Sequence, residues 1–423
     1  MRDVHEIVVA GGRPIEGIVS VSGAKNAVLK HMVASVLAPG THVLRNVPAI
    51  ADVELMVEVL TYVGATCTTE GDVLTIVMPE VVRPEAPLDL VRRFRASILV
   101  LGPLLARCGV ARVAFPGGDE LGARPIDMHI DGLRRMGAMF SLAHGVLTGN
   151  VEGRLRGAEI DLEFPSVGAT ENLMLAAATT DGETLIHNAA REPEIQDLAK
   201  LLSEMGARIE GTGTATVRIE GVTELVPADH EVIPDRLEAG TYAAAAAITG
   251  GTVTVKDCVP ADLRMELHKL AEAGCEISRG DDAFEVTGPN RPIAVDVATL
   301  PFPGFHTDMQ PQMVSLLSVA DGTSIITENL YDARFRYVGE LARMGADITI
   351  EGQHAVVRGV ERLSGCPVEA PDIRAGAALV LAGLRADGYT RVGEIHHIDR
   401  GYGDLVGKLR SLGAEVSRAE RVD

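Results

Sequence analysis

One short pattern recurs six times along this chain and restricts the fold more than any other feature. It reads LTYVGA at 60–65, LRRMGA at 133–138, LSEMGA at 202–207, LAEAGC at 270–275, LARMGA at 341–346 and LRSLGA at 409–414. Its glycines (Gly64, Gly137, Gly206, Gly274, Gly345 and Gly413) stand 73, 69, 68, 71 and 68 residues apart, a period that accounts for nearly all of the 423 residues. Each copy predicts an amphipathic helix closed by glycine and followed by an alternating strand, as in the ADITIEG of 346–352. A second turn signal lies about 24 residues upstream of each copy: Pro39-Gly40, Cys108-Gly109, Asp181-Gly182, Gly250-Gly251, Asp321-Gly322 and Asp387-Gly388.

Each upstream turn closes a helix of a different kind. NAVLKHMVASVLA, RASILVLGPLLARC, ATENLMLAAATT, EAGTYAAAAAIT, TDMQPQMVSLLSVA and RAGAALVLAGLRA are apolar nearly all round, so they belong inside a core. A unit of this length cannot bury a core alone. The expected fold is therefore α/β, with two domains of three units each, sheets outside and Ala-rich helices packed centrally. A six-unit ring or solenoid is the alternative arrangement.

Charge narrows the ligand class. With 39 Lys+Arg against 59 Asp+Glu the net charge is −20, and aromatic residues are 3% of the chain with no Trp, which argues against nucleic acid as a partner. An anionic ligand must then be met by local cations working against the global field. The five cysteines (Cys67, Cys108, Cys258, Cys275 and Cys366) form no CxxC pair, so neither a disulfide framework nor a structural metal is expected. No secretory signal and no apolar run of spanning length is legible, which predicts a cytoplasmic protein without a membrane partner.

The cations of interest sit at the starts of the buried helices, where free N–H groups and the macrodipole favour anions. The residues there are Ser22, Lys25 and Asn26; Arg95 and Ser97; Ser166 and Thr170; Asp235 and Arg236; Thr307 and Asp308; Asp372 and Arg374. N-capping explains Asp, Ser and Thr at such places. Lys25, Arg95 and Arg374 oppose the dipole, which leaves a bound anion or a salt bridge across a domain interface as explanations. Two loops add polar groups: FPGGDELGARPIDMH at 115–129, a candidate lid carrying Asp119, Arg124, Asp127 and His129, and HHIDRGY at 396–402, which carries Arg400. His129, His396 and His397 are read first as satisfied polar or surface residues.

Together these segments resemble the enolpyruvyl transferase family, from about Ile7 to Val416. SGAKNAVL at Ser22, RASILVLGPL at Arg95, GARPIDMH within the lid, PSVGATEN at Pro165, NAAREPEI at Asn188, PDRLEAGT at Pro234, TDMQ at Thr307, RAGAALVLAG at Arg374 and HIDRGY at His397 look like its signatures, in its order. The nucleotide-sugar branch matches more closely than the shikimate-pathway branch. The resemblance implies an inside-out α/β barrel of six pseudo-repeats, with domains at 22–233 and at 1–21 plus 234–423 and the active site in the cleft between them. It implies transfer of the enolpyruvyl group of phosphoenolpyruvate to the 3′-hydroxyl of UDP-N-acetylglucosamine, without cofactor or metal, by a monomer or weak homo-oligomer. By resemblance Asp308 is the base; Lys25, Arg95, Arg124 and Arg400 grip phosphoenolpyruvate, with Asn26 beside them and Arg374 on its carboxylate. Asn26, Arg95, Arg124, Pro125, Ile126, Asp127, Met128, Ser166, Val167, Gly168, Thr307, Asp308 and Leu330 match positions around the nucleotide sugar, and Arg334 matches a cleft residue at the hinge.

Two positions depart from the family pattern. Asp119 stands where most members carry a lid cysteine, as in a recognised subset of active members, and is expected to donate a proton in its place. His306 stands where proline usually precedes Thr-Asp, which removes a backbone constraint and adds a polar group near the acceptor. That change keeps open a rival acceptor, another uridine nucleotide such as UMP. A catalytically silent nucleotide-sugar-binding paralogue is a rival of another class.

Overall fold

The computed structural model describes residues 5–86, 90, 95–114 and 126–421, except for the side chains of Arg95 and Ser97. The described chain divides into two compact units, one holding 23–114 and 126–233 and the other 5–22 and 234–421. Each contains three four-stranded sheets. All six sheets repeat one plan: a short outer strand runs parallel to its neighbour, which pairs antiparallel with a third strand, which pairs antiparallel with the fourth. No ladder joins one sheet to the next among the described residues, so each unit is a layering of sheets over helices and not a closed barrel.

The second unit needs the chain's N-terminal strands to complete this plan. His5–Ala10 pairs antiparallel with both Tyr389–Gly393 and Glu415–Glu420, filling the third place in the last sheet. Glu16–Ser20 supplies the parallel outer strand beside Thr252–Lys256. In the first unit Asp229–Glu231 plays that outer role beside Gly40–Arg45.

The apolar helices lie where their composition sends them. All fourteen residues of Arg236–Thr249 and all eight of Gln310–Leu317 are buried, and these two pack with each other and with Ile373–Arg385. Small residues allow that approach: a Cβ on Gly240 would sit 2.8 Å from Met309 Cε. Two of these helices begin differently from the single elements expected. Arg95–Val100 and Thr307–Met309 are 3₁₀ turns that lead into the α-helices Leu101–Cys108 and Gln310–Leu317. Pro103 and Pro311 supply no N–H in the first α-turn, so the segment before each is free to tighten.

The recurring Leu-x-x-x-Gly-Ala pattern is a helix stop. All six glycines have positive φ, from 87° to 126°. In the third copy Gly206 N–H donates to Ser203 O and Ala207 N–H to Leu202 O, the paired bonds of a Schellman motif. Leu and Ala at its two ends are the hydrophobic pair that accompanies the motif, and Leu202 and Ala207 are both buried. All five cysteines are free, and no helix among the described residues is long and apolar enough to cross a membrane.

Gly206→Ala tests the helix stop. The added methyl meets nothing within 4 Å, so any cost comes from φ of 104° alone. Equilibrium urea unfolding should show a loss of about 1–2 kcal/mol, whereas an unchanged midpoint would mean that the helix end has another way to close.

Candidate active site

The second unit sets two of the expected residues, Arg334 and Arg374, on the carboxylate of a third, Asp308. Asp308 lies in the 3₁₀ turn Thr307–Met309 at the head of a buried helix. Arg334 Nη2 reaches its Oδ1 and Arg374 Nε its Oδ2, each at 3.2 Å. Both arginine side chains are buried, while that of Asp308 is 21% exposed. Burial alone would raise the Asp308 pKa, but the charges of Arg374 and Arg334, with His306 beside them, outweigh it and hold the carboxyl well below the usual range. Arg374 also lies over the Tyr402 ring, 5.3 Å from its centroid, and its pKa is raised because the Tyr402 and Asp308 contacts overcome desolvation.

His306 has a definite local role. Its Nδ1 accepts from the Asp308 N–H at 2.9 Å, capping the turn, while its own N–H donates to Glu266 Oε1 at 2.9 Å. Proline at this place could form neither bond. Glu328 orders the rest of the neighbourhood. It accepts from Thr307 Oγ1 and from the backbone N–H groups of Leu330 and Tyr331, at 2.9, 2.9 and 3.2 Å. Arg400 closes the short helix His396–Asp399, two residues before Tyr402. That helix packs against Ile373–Arg385, where a Cβ on Gly376 would lie 2.6 Å from Ile398.

The first unit carries the remaining described residues. Lys25 opens the helix Lys25–Ala34 and is buried against Asp52, with Nζ 2.8 Å from Oδ2. Asn26 follows it, and its carbonyl accepts from Lys30 Nζ. Ser166 caps the helix Val167–Ala177 by accepting from Ala169 N–H at 3.3 Å. Ile126 precedes the helix Asp127–Arg135, where Asp127 Oδ1 accepts from Met128 N–H. His129 links these two helix heads: its ring lies 3.3 Å from where a Gly168 Cβ would stand, and its Nδ1 is 3.1 Å from Asn172 Nδ2. This agrees with the reading of His129 as a satisfied polar residue. Asp119, Arg124, Pro125 and most of the expected lid lie outside the described residues, as does the side chain of Arg95.

Two of the cations at the helix heads are partnered inside their own units. Lys25 has Asp52 and Arg374 has Asp308, a local carboxylate in each case.

This arrangement of helix heads can now be set beside known proteins. Residues 9–409 match the family described as EPSP synthase (3-phosphoshikimate 1-carboxyvinyltransferase). The chain belongs to this family. Within it, the chain is 54% identical to the UDP-N-acetylglucosamine 1-carboxyvinyltransferase of Mycolicibacterium paratuberculosis (98% of this chain, 100% of that protein). It is 50% identical to the one of Geobacter metallireducens (99% and 100%). The enolpyruvyl transferase NikO from Streptomyces tendae superposes with a TM-score of 0.89 at 26% identity, covering 99% of both chains. An EPSP synthase from Acinetobacter baumannii, at 0.74 and 16% over 98% and 100% of the two chains, shares the fold.

Sequence reasoning about this family member missed Asp52, Glu328 and Tyr402. Asp52 reads as an ordinary first-turn acid of the helix Ala51–Val63. Glu328 directly follows the strand Thr323–Thr327 with no motif to mark it, and Tyr402 ends the HIDRGY segment that was singled out for its arginine. Only the last carried a usable signal.

The depressed Asp308 pKa fixes a pH dependence. A carboxyl with a lowered folded pKa stabilises fully above its unfolded value of about 3.9 and loses that contribution as pH falls towards the folded value. Asp308→Asn leaves two buried guanidinium groups short of a counter-charge and should cost about 2–4 kcal/mol, somewhat less than a fully enclosed pair. The difference from wild type in urea unfolding should be the same from about pH 8 to pH 5. A difference that grows as pH falls across that window would instead show a folded pKa raised above the ordinary carboxylate range.

Proposed function

We propose that this chain transfers the enolpyruvyl group of phosphoenolpyruvate to the 3′-hydroxyl of UDP-N-acetylglucosamine and releases phosphate, a step in making peptidoglycan precursors in the cytoplasm. The observation that carries this is identity of about half, sustained along the whole chain, with carboxyvinyltransferases named for that acceptor. The reaction joins the sugar oxygen to C2 of the enol while a proton goes to C3. The resulting tetrahedral phospholactoyl adduct then loses a proton from C3 as phosphate leaves. Such chemistry needs a base, an acid and a clamp for two anionic groups.

We assign Asp308 as the base on the sugar hydroxyl and Asp119 as the acid. Lys25, Arg95, Arg124 and Arg400 are assigned to phosphoenolpyruvate, with Arg374 on its carboxylate, where a planar guanidinium can give two parallel bonds. Arg374 Nη1 is buried without a hydrogen-bond partner, so that side chain holds a donor in reserve for such a group. Asn26, the residues Ile126 to Met128 and Ser166 to Gly168, Thr307 and Leu330 are assigned to the nucleotide sugar. These groups come from both units. Phosphate release measured with UDP-N-acetylglucosamine and with UMP in parallel tests the acceptor. Release with the nucleotide sugar supports the assignment, and release with UMP alone would overturn it.

Asp308→Asn should slow turnover by roughly 10²–10⁴, the range for a lost general base. Wild-type kcat in a folded variant would remove Asp308 from proton transfer.

The Asp119 assignment carries its own test. The epoxide antibiotic fosfomycin inactivates thiol-bearing members of the family by alkylating the lid cysteine, and a carboxylate is a far poorer nucleophile. The described cysteines offer no substitute, because burial pushes the thiols of Cys67 and Cys258 up to about 11 and that of Cys275 to about 12. The enzyme should therefore resist time-dependent inactivation, and Asp119→Cys should confer sensitivity while keeping part of the activity. An adduct on the unaltered lid, located by mass spectrometry, would refute the assignment.

A further inference from the structure

His31, Asp197 and His230 meet inside the first unit, delivered by the helix Lys25–Ala34, the helix Pro193–Glu204 and the strand Asp229–Glu231. All three are buried, and one ligand atom from each lies within 4.8 Å of the other two. Asp197 faces both rings, with Oδ2 3.3 Å from His31 Nε2 and Oδ1 3.1 Å from His230 Nε2. Behind His230, Nδ1 stands 2.7 Å from Glu204 Oε2.

The anomaly is His31. Its side chain is fully buried, yet neither ring nitrogen has a hydrogen-bond partner, and a buried polar group left so is costly. The His31 and His230 rings meet edge to face with centroids 4.8 Å apart, and the Asp197 carboxylate lies against both. Two imidazoles and a carboxylate that face one another form a donor set for a borderline metal ion. Glu204 stands where a carboxylate fixes the tautomer of a ligating histidine and raises its basicity.

We propose that His31, Asp197 and His230 bind a structural divalent transition-metal ion, zinc in chemical class, with Glu204 orienting His230 from behind. The ion satisfies the stranded nitrogen of His31 and neutralises Asp197. It ties together segments 166 and 33 residues apart, which is where a cross-link removes most freedom from the unfolded chain. One of those segments is the helix headed by Lys25. Another runs on to Ile233, whose N–H donates to Asp197 Oδ2 at 3.2 Å. The site uses no cysteine and no regular spacing, so the sequence carries no sign of it.

The test uses the untagged full chain, stripped with chelator under mild denaturant and restored in Co²⁺ or Zn²⁺. A single Co²⁺ per chain with the visible bands of a four- or five-coordinate nitrogen and oxygen site, and a Tm raised by Zn²⁺, are the expected results. Glu204→Gln alters a partly exposed residue that is no ligand. It should weaken binding about 10–100-fold while keeping the bands. His31→Gln should abolish the bands. Wild-type protein that takes up no Co²⁺ and melts identically with and without Zn²⁺ would overturn the proposal. So would Co²⁺ binding that neither substitution alters, because the ion would then lie elsewhere.

Discussion

A helix buried along its whole length can meet a polar ligand only at its ends. In this fold that constraint is repeated, because Arg236–Thr249, Gln310–Leu317 and most of Ile373–Arg385 expose no flank. Their sides are committed to Ala, Leu, Val and small polar groups that bond within the core, such as Gln312 Nε2 donating to Thr241 Oγ1 at 3.2 Å. What remains for chemistry is the first turn, where N–H groups are unpaired and the dipole is positive.

Cations at such positions must be held against the dipole, and the protein does this with internal carboxylates. Asp52 serves Lys25, and Asp308 serves Arg374 and Arg334 together. Each carboxylate orients its cation within a low-dielectric surrounding, where an unpaired charge would be strongly destabilising. The net charge of −20 does not prevent anion recognition under these terms, because the relevant field is set within a few ångströms by the buried pairs.

The sequence made the architecture legible because the architecture is repetitive. Six glycines with positive φ, each preceded by a buried Leu and followed by Ala or Cys, mark six helix ends by a local rule that needs no tertiary context. The 3₁₀ entries at Arg95 and Thr307 were not anticipated, since a proline in the first turn is compatible with either an α or a 3₁₀ approach. In the candidate site, Asp308 and Arg374 could be picked out as polar groups on apolar helices. Asp52, Glu328 and the Asp197 cluster could not, because their partners lie far away in sequence and their own neighbours look ordinary. Long-range pairing of common residue types leaves no periodicity to read.

On the proposed reading, the geometry raises a difficulty and contains its resolution. A carboxylate gripped by two buried arginines is a weak base, and a sugar hydroxyl is a weak acid, so Asp308 held by Arg334 and Arg374 is poorly matched to its assigned step. Its basicity is set by Arg374 and Arg334, and any anion that engages those guanidinium groups weakens their hold. A substrate carried in with a carboxylate and a phosphate brings such charge. As it draws on Arg374, the field that depresses Asp308 is partly cancelled and the carboxylate becomes more basic at the moment the hydroxyl is in place. Base strength is then coupled to occupancy of the anion site by electrostatics alone, and the ion pair that stabilises the fold is the one whose loosening prepares Asp308 to react.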